Sequence, residues 1–226
     1  MAGPVARSVK VALVLNGDEP GPDDLKLLSA CDAIVCADGA AQALLKSNHP
    51  PTVIVGDMDS LKPDSYKWAD ALDIPMERHK PDKDQTDGEL ALEKALSLGA
   101  NSMLILGGHG GRSAMFLANL KLLRRCHDKG IDASMVGHGE SIRYVGAGQE
   151  HIWAGRAGAT LNLLSVDDDA VVTLEGTGYD LKEIALGRKS AQGVSNKIAK
   201  DAAKLKVHSG VVLAIVERKK QEYYVL

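Results

Sequence analysis

Short apolar runs alternate with amphipathic stretches over the first 137 residues, and beyond them the alternation gives way to a different rhythm. Residues 9–15 (VKVALVL) form a continuous apolar run of strand length, stopped by Asn16-Gly17-Asp18. Residues 22–30 begin with Pro22 and the acids Asp23 and Asp24, which is the first-turn signature of a helix. Residues 33–37 read as the second strand, followed by Asp38-Gly39 and a helix over 40–46. A third strand over 52–55 ends at Gly56-Asp57, and a helix follows Pro63. Residues 87–98 put Leu90, Leu92, Ala95 and Leu96 on one helical side, with Gly99 as terminator. A strand over 103–106, a glycine cluster, a helix over 113–126 and a strand over 133–136 close this part.

Strands that alternate with helices require right-handed crossovers and a mainly parallel sheet covered on both faces. After residue 137 short strand-like runs at 141–145, 151–153, 160–164, 171–174 and 211–216 are split by Gly and Asp. The one helical patch in this part lies near 196–204. The pattern predicts an α/β domain with a mainly parallel sheet over residues 1–137 and an all-β sandwich or barrel over 138–226.

Composition narrows the classes. The 226 residues carry a formal charge of −3, which argues against a non-specific nucleic-acid binder with a basic face. No run approaches the roughly 20 apolar residues of a membrane span, and the run ending at Leu15 is too brief for a signal segment. Cys31, Cys36 and Cys126 are odd in number and form no CxxC motif, so they read as core residues of a reduced, cytoplasmic protein.

The chemistry gathers at strand ends. Asp38, then Asp57 and Asp59, follow the second and third strands, and Asp84 and Asp87 lie where the 87–98 helix opens. Open parallel sheets bind ligands outside the carboxyl ends of their strands, so these acids converge on one rim. Two like charges about 4 Å apart repel by roughly 4 kcal/mol near a protein surface, and cations relieve that cost. Mg²⁺ suits the task, because it takes oxygen ligands and shares them with substrate phosphates. Asp57 and Asp59 are two apart, so Met58 faces away while both acids face the site. Asp87, at a helix start, reads equally as a cap or as a metal-side acid.

The cluster from Gly107 to Arg112 joins a strand to a helix, where backbone N–H groups favour anions and Arg112 offers a forked contact. It lacks the Gly-Lys-Ser/Thr of a Walker A loop, and an ordinary strand-to-helix turn explains it as well. His109 within it reads as an exposed loop residue. Trp153 and Trp68 read as packing residues, while Tyr179 is divided between packing and stacking on a flat ring.

Together these segments resemble the thiamine pyrophosphokinase family, in order and over nearly the whole chain. The most specific is Val55-Gly56-Asp57-Met58-Asp59-Ser60-Leu61, similar to the family's GDxDS motif. Cys36-Ala37-Asp38-Gly39-Ala40-Ala41 resembles its ADGGA segment, and Asp84-Gln85-Thr86-Asp87 its D-x-T-D. Gly110-Gly111-Arg112 through Leu117-Ala118-Asn119 is similar to G-G-R-x-D-H-x-L-A-N, with Ala114-Met115 in place of Asp-His. Gly193-Val194-Ser195-Asn196 resembles G-x-S-N, followed by Lys197 where Glu is usual.

The resemblance implies diphosphate transfer from ATP to the hydroxyl of thiamine, with Mg²⁺, in a homodimer whose sites lie at the subunit interface. By position it assigns Asp57, Asp59, Asp84 and Asp87 to metal and catalysis, and Asp38, Arg112 and Asn119 to ATP and phosphate. Thr86, Ser195 and Asn196 fall on the substrate side. Which Asp acts as base stays open. Two other readings also stand: transfer to another hydroxymethyl heterocycle such as a pterin, and a catalytically silent nucleotide-binding relative.

Overall fold

The computed structural model describes residues 8–80 and 85–217, and chain contacts divide it into two units, one ending at His138 and one beginning at Gly139. In the first, β1 (Lys10–Val14) leads to α1 (Pro22–Leu25), a 3-10 turn (Lys26–Ala30) and β2 (Ala33–Ala37). A second 3-10 turn (Asp38–Ala40) precedes α2 (Ala41–Ser47), β3 (Val53–Gly56), α3 (Pro63–Ala71) and β4 (Met76–Arg78). Then come α4 (Asp87–Ser97), β5 (Ser102–Leu106), α5 (Ser113–Asp128) and β6 (Asp132–Gly137).

The strands lie in the order β6-β5-β1-β2-β3-β4, and every pairing between them is parallel. Their apolar runs are continuous because both faces are covered, and Val11, Ala12, Leu13 and Val14 are fully buried. Ala12, Val14, Cys36 and Ile54 pack with Leu28, Leu44 and Ala69, which puts the first three helices on one face. α4 packs on β1, β2 and β3, and α5 on β6. The strand order reverses between β1 and β5, so right-handed crossovers send α4 and α5 to the opposite face. The loops after β1 and β5 therefore diverge and leave a crevice at the carboxyl ends of the strands.

The second unit comprises β7 (Glu140–Gly146), β8 (Glu150–Ala154), β9 (Thr160–Ser165), β10 (Ala170–Glu175), β11 (Leu181–Leu186), β12 (Asn196–Lys197), β13 (Ala202–Ser209) and β14 (Val211–Glu217). They form the rows β12-β9-β14-β7 and β11-β10-β13-β8, antiparallel throughout. Leu161, Leu163 and Val212 from one row share a core with Trp153, Val172, Leu205 and Val207 from the other. This is a sandwich, with one face of each row turned inward.

Several elements differ from the sequence expectation. The helix expected over 22–30 is α1 followed by a 3-10 turn. The helical patch near 196–204 is instead the bridge of β12 and the start of β13. Period-two burial decides it: Ala203, Leu205 and Val207 point into the core, while Lys204 and Lys206 pair outward with Glu150 at 2.9 and 3.8 Å. The strands β4 and β11 end their rows, and neither carries the apolar run that marks a buried strand. Among the described residues no helix is long and apolar enough to cross a membrane.

Candidate active site

The acids after β2 and β3 meet because glycine lets them. A Cβ on Gly56 would stand 2.9 Å from the Asp38 Cγ, so a side chain there would push the two loops apart. Asp38 is buried; its Oδ1 accepts from the Gly39 N–H at 2.6 Å and its Oδ2 from the Met58 N–H at 3.1 Å. Met58 has φ +70° and packs against the first unit's core, which turns Asp57 and Asp59 the other way. The Asp59 N–H donates to Asp57 Oδ1 at 3.1 Å, and Ser60 Oγ donates to Asp59 Oδ1 at 3.0 Å.

One carboxylate oxygen from each of Asp38, Asp57 and Asp59 lies within 4.8 Å of the others. Burial pushes the Asp38 carboxyl above its usual range. The Gly39 and Ser60 N–H groups hold it back, while the charges of Asp87 and Asp57 raise it further. A donor set made only of carboxylate oxygens fits a hard divalent cation such as Mg²⁺ rather than a soft metal.

Thr86 caps α4 through a reciprocal box, accepting from the Glu89 N–H at 3.2 Å while its own N–H donates to Glu89 Oε2 at 2.9 Å. The capping task thus belongs to Thr86, and Asp87 is the first helical residue, with its side chain on the cleft. Asp84 lies outside the described residues.

The glycine cluster is braced from two sides. Gly17 N–H donates to Gly107 O at 2.9 Å, Asp18 N–H to His109 O at 2.8 Å, and Asn119 Nδ2 to Gly108 O at 2.9 Å. Gly107 and Gly110 adopt φ +65° and +76°, conformations glycine takes without strain, and they fold the loop back on itself. That folding buries His109, contrary to the expectation of an exposed residue: it is 6 % accessible. Its ring stacks on His138 at 5.5 Å and lies 5.6 Å from Phe116, and His138 Nε2 meets Asp18 Oδ2 at 2.9 Å.

These loops and the starts of α4 and α5 enclose a cleft of about 720 Å³ within the first unit. Asp38, Asp57, Thr86, Asp87, Arg112 and Asn119 all line it. The lining also includes Asn16, Gly17, Ser60, Gln85, Lys121 and Arg125, which the sequence reading misses. Asn16-Gly17 looks like a mere strand stop in the sequence. Yet it follows β1 as Asp38 follows β2, and the rule that places ligands at strand ends applies equally to both. Lys121 and Arg125 are four apart on α5, a spacing that puts the two on one helical face, and both line the cleft. Arg125 also pairs with Glu89 at 3.6 Å and Glu93 at 3.3 Å.

Ser195 and Asn196 belong to the second unit. Ser195 is exposed at φ +66°, with its N–H donating to Asn162 Oδ1 at 2.8 Å. Asn196 is buried, and its amide clamps a turn: Nδ2 donates to Tyr179 O at 2.7 Å and Oδ1 accepts from the Tyr179 N–H at 3.1 Å. Tyr179 itself is 78 % exposed, so it is no core residue, whereas Trp153 is buried and Trp68 packs against the first unit's core. The three cysteines are unbridged; burial raises the Cys36 thiol far out of reach of neutral pH and the Cys126 thiol to about 11.

The chain is similar to known proteins in sequence and in fold. Residues 25–135 match the family model described as thiamin pyrophosphokinase, catalytic domain. Thiamine pyrophosphokinase of Bacillus subtilis is 24% identical over 179 residues, spanning 79% of this chain and 84% of the relative. The solved structure of the Bacillus subtilis protein superposes with a TM-score of 0.83 at 23% identity, covering 93% of this chain and 99% of that one. A thiamin pyrophosphokinase family protein from Enterococcus faecalis gives 0.78 at 26% identity, covering 93% and 100%. Yeast thiamin pyrophosphokinase gives 0.73 at 18% identity, covering 95% and 87%. Residues 25–135 thus resemble the catalytic domain of thiamin pyrophosphokinases in sequence, and the chain as a whole is similar to thiamin pyrophosphokinases in fold.

Proposed function

We propose that this protein transfers diphosphate from ATP to the hydroxyl of thiamine, giving thiamine diphosphate and AMP. The observation that carries the reading is one cleft lined by both carboxylates and cations. Asp38 and Asp57 come from the strand ends, and Arg112 and Lys121 from α5 and the residue that opens it. A triphosphate is the kind of ligand that needs both, one set through a bridging divalent ion and the other by direct charge.

In the reaction the acceptor oxygen attacks the β-phosphorus, the bond from that phosphorus to the α–β bridging oxygen breaks, and AMP departs with the bridging oxygen. The hydroxyl proton passes to a carboxylate of the cleft. Little covalent work falls to the protein, and positioning with charge neutralisation carries the rate. Asp57 and Asp59, with Asp84 and Asp87, would hold Mg²⁺, which when bound neutralises charge on the phosphates. Asp38 fixes the loop after β3 through the Met58 N–H and adds its charge to the set. Arg112 binds phosphate oxygens, and Asn119 holds the glycine turn against the nucleotide through Gly108 O. Thr86 lies beside Asp87 on the substrate side, and Ser195 and Asn196 serve thiamine. A homodimer with sites at the subunit interface and a cytoplasmic location complete the proposal, supported by family likeness and the unbridged thiols.

A second reading keeps the same cleft and the same attack on the β-phosphorus with another acceptor, a hydroxymethyl heterocycle such as a pterin. A coupled assay of AMP release, with thiamine or a pterin and with or without Mg²⁺, decides between them. Thiamine-dependent AMP that disappears without Mg²⁺ is the expected result. Asp57→Asn should lower that rate by about a hundredfold or more with the fold intact. Saturable ATP binding with no AMP from either acceptor would leave a silent nucleotide binder, and full turnover by Asp57→Asn would remove the metal assignment.

A further inference from the structure

Between its cations the cleft has an apolar wall that the transfer reaction leaves unexplained. α5 turns Met115, Ala118 and Leu122 toward the cleft, a spacing of three and four that keeps them on one helical face. Leu122 and Leu15 form the floor and are 3% and 5% accessible. α4 closes against them at Gly88, where a Cβ would meet Leu122 Cδ1 at 3.0 Å and Leu15 Cδ2 at 3.5 Å. Met115 stands at the open end and keeps 38 % of its surface accessible. Arg112 precedes this strip on the helix, and Lys121 and Arg125 flank its other end.

We infer that the face of Met115, Ala118 and Leu122 seats the base of the nucleotide, with Met115 as a base-binding residue. The inference rests on the reading that the cleft takes ATP. A flat heteroaromatic ring is a ligand part that gains from an apolar strip inside a polar cleft. An exposed thioether adds a polarizable contact to a ring face or edge. Charge selects which ring: Arg112 and Lys121 border the strip, while Arg125 beside them is paired with Glu89 and Glu93, so the wall favours a ring with an anionic tail over the cationic ring of thiamine. The sequence carries the matching mark, since Ala114-Met115 puts apolar groups where the related motif has a polar pair. A polar pair at that place cannot offer the same surface.

The test compares a ligand that has a base with one that lacks it. Calorimetry in Mg²⁺ buffer gives Kd for ATP and for inorganic tripolyphosphate, with the wild type, Met115→Ala and Met115→Leu. Met115→Ala should weaken ATP about five- to tenfold and leave tripolyphosphate unchanged, which also shows that the variant is folded. Met115→Leu should restore most of the loss. Equal weakening of both ligands, or unchanged ATP affinity, overturns the assignment while diphosphate transfer still stands. A loss confined to thiamine affinity places the acceptor ring here and overturns it as well. A wild type that binds neither polyphosphate overturns this inference and the transfer reading together.

Discussion

The two units use their strands in opposite ways. In the first, the central strands are buried on both faces, and β1, β2, β3 and β5 show no exposed residue along their lengths. All their side chains are spent on packing, so polar chemistry is confined to the loop that leaves each strand: Asn16 after β1, Asp38 after β2 and Asp57 after β3. In the second, β10 and β13 alternate between core and solvent, and the outward residues form surface pairs such as Lys204 with Glu150. Its polar specialisation sits in turns clamped from beneath, as Asn196 clamps the turn at Tyr179. A parallel sheet with both faces covered concentrates reactive groups at one rim, and an antiparallel sandwich distributes them over a surface.

The comparison breaks hardest if a change in one unit's core disturbs the other's cleft. Trp153→Ala empties a buried position in the sandwich and should cost about 3–5 kcal/mol, read by urea unfolding. At temperatures where the variant is folded, its affinity for Mg-ATP should equal that of the wild type. Weaker nucleotide binding would mean that the units are energetically one. A smaller effect is expected from Asn119→Ala, which removes the donor to Gly108 O at 2.9 Å and should cost about 1–3 kcal/mol. Here stability and ATP affinity should fall together, because one amide supports both the turn and the cleft. Intact ATP affinity would show that the glycine turn needs no brace.

The smallest effect is a pH dependence within the first unit. Burial holds the His109 imidazole below its usual value of 6.5; His138 lowers it further, and Asp24 and Asp18 oppose the shift. The unfolded chain therefore takes up a proton near 6.5 that the folded chain refuses. This contribution is complete above that pH and is lost as pH falls toward the folded value. Thermal midpoints should decline between about pH 7.5 and about pH 5.5, and His109→Gln should flatten the decline. An unchanged slope in the variant would assign the dependence to other groups.

Much of this is legible in the residues. Long runs such as β2 and the amphipathic pattern of α4 identify themselves, because period and length agree with the buried faces they supply. The convergence of Asp38, Asp57 and Asp59 follows from strand ends alone, and glycine at position 56 stands where their contact requires it. β13 is harder to read. Ala202 to Lys204 supports either period until Leu205 and Val207 find a core to enter. His109 is harder still, since its burial depends on Gly107 and Gly110 turning a loop under β1's own loop.

The chain by itself determined the order of elements and the kinds of group at their ends, since period, breakers and charge are local properties. Only tertiary structure decided which of those ends share a cleft and which residues line its walls. Lys121, Arg125 and Met115 came to the site because the reversal of strand order sets α5 beside the acids. Such a meeting joins residues distant along the chain, and no local pattern encodes it.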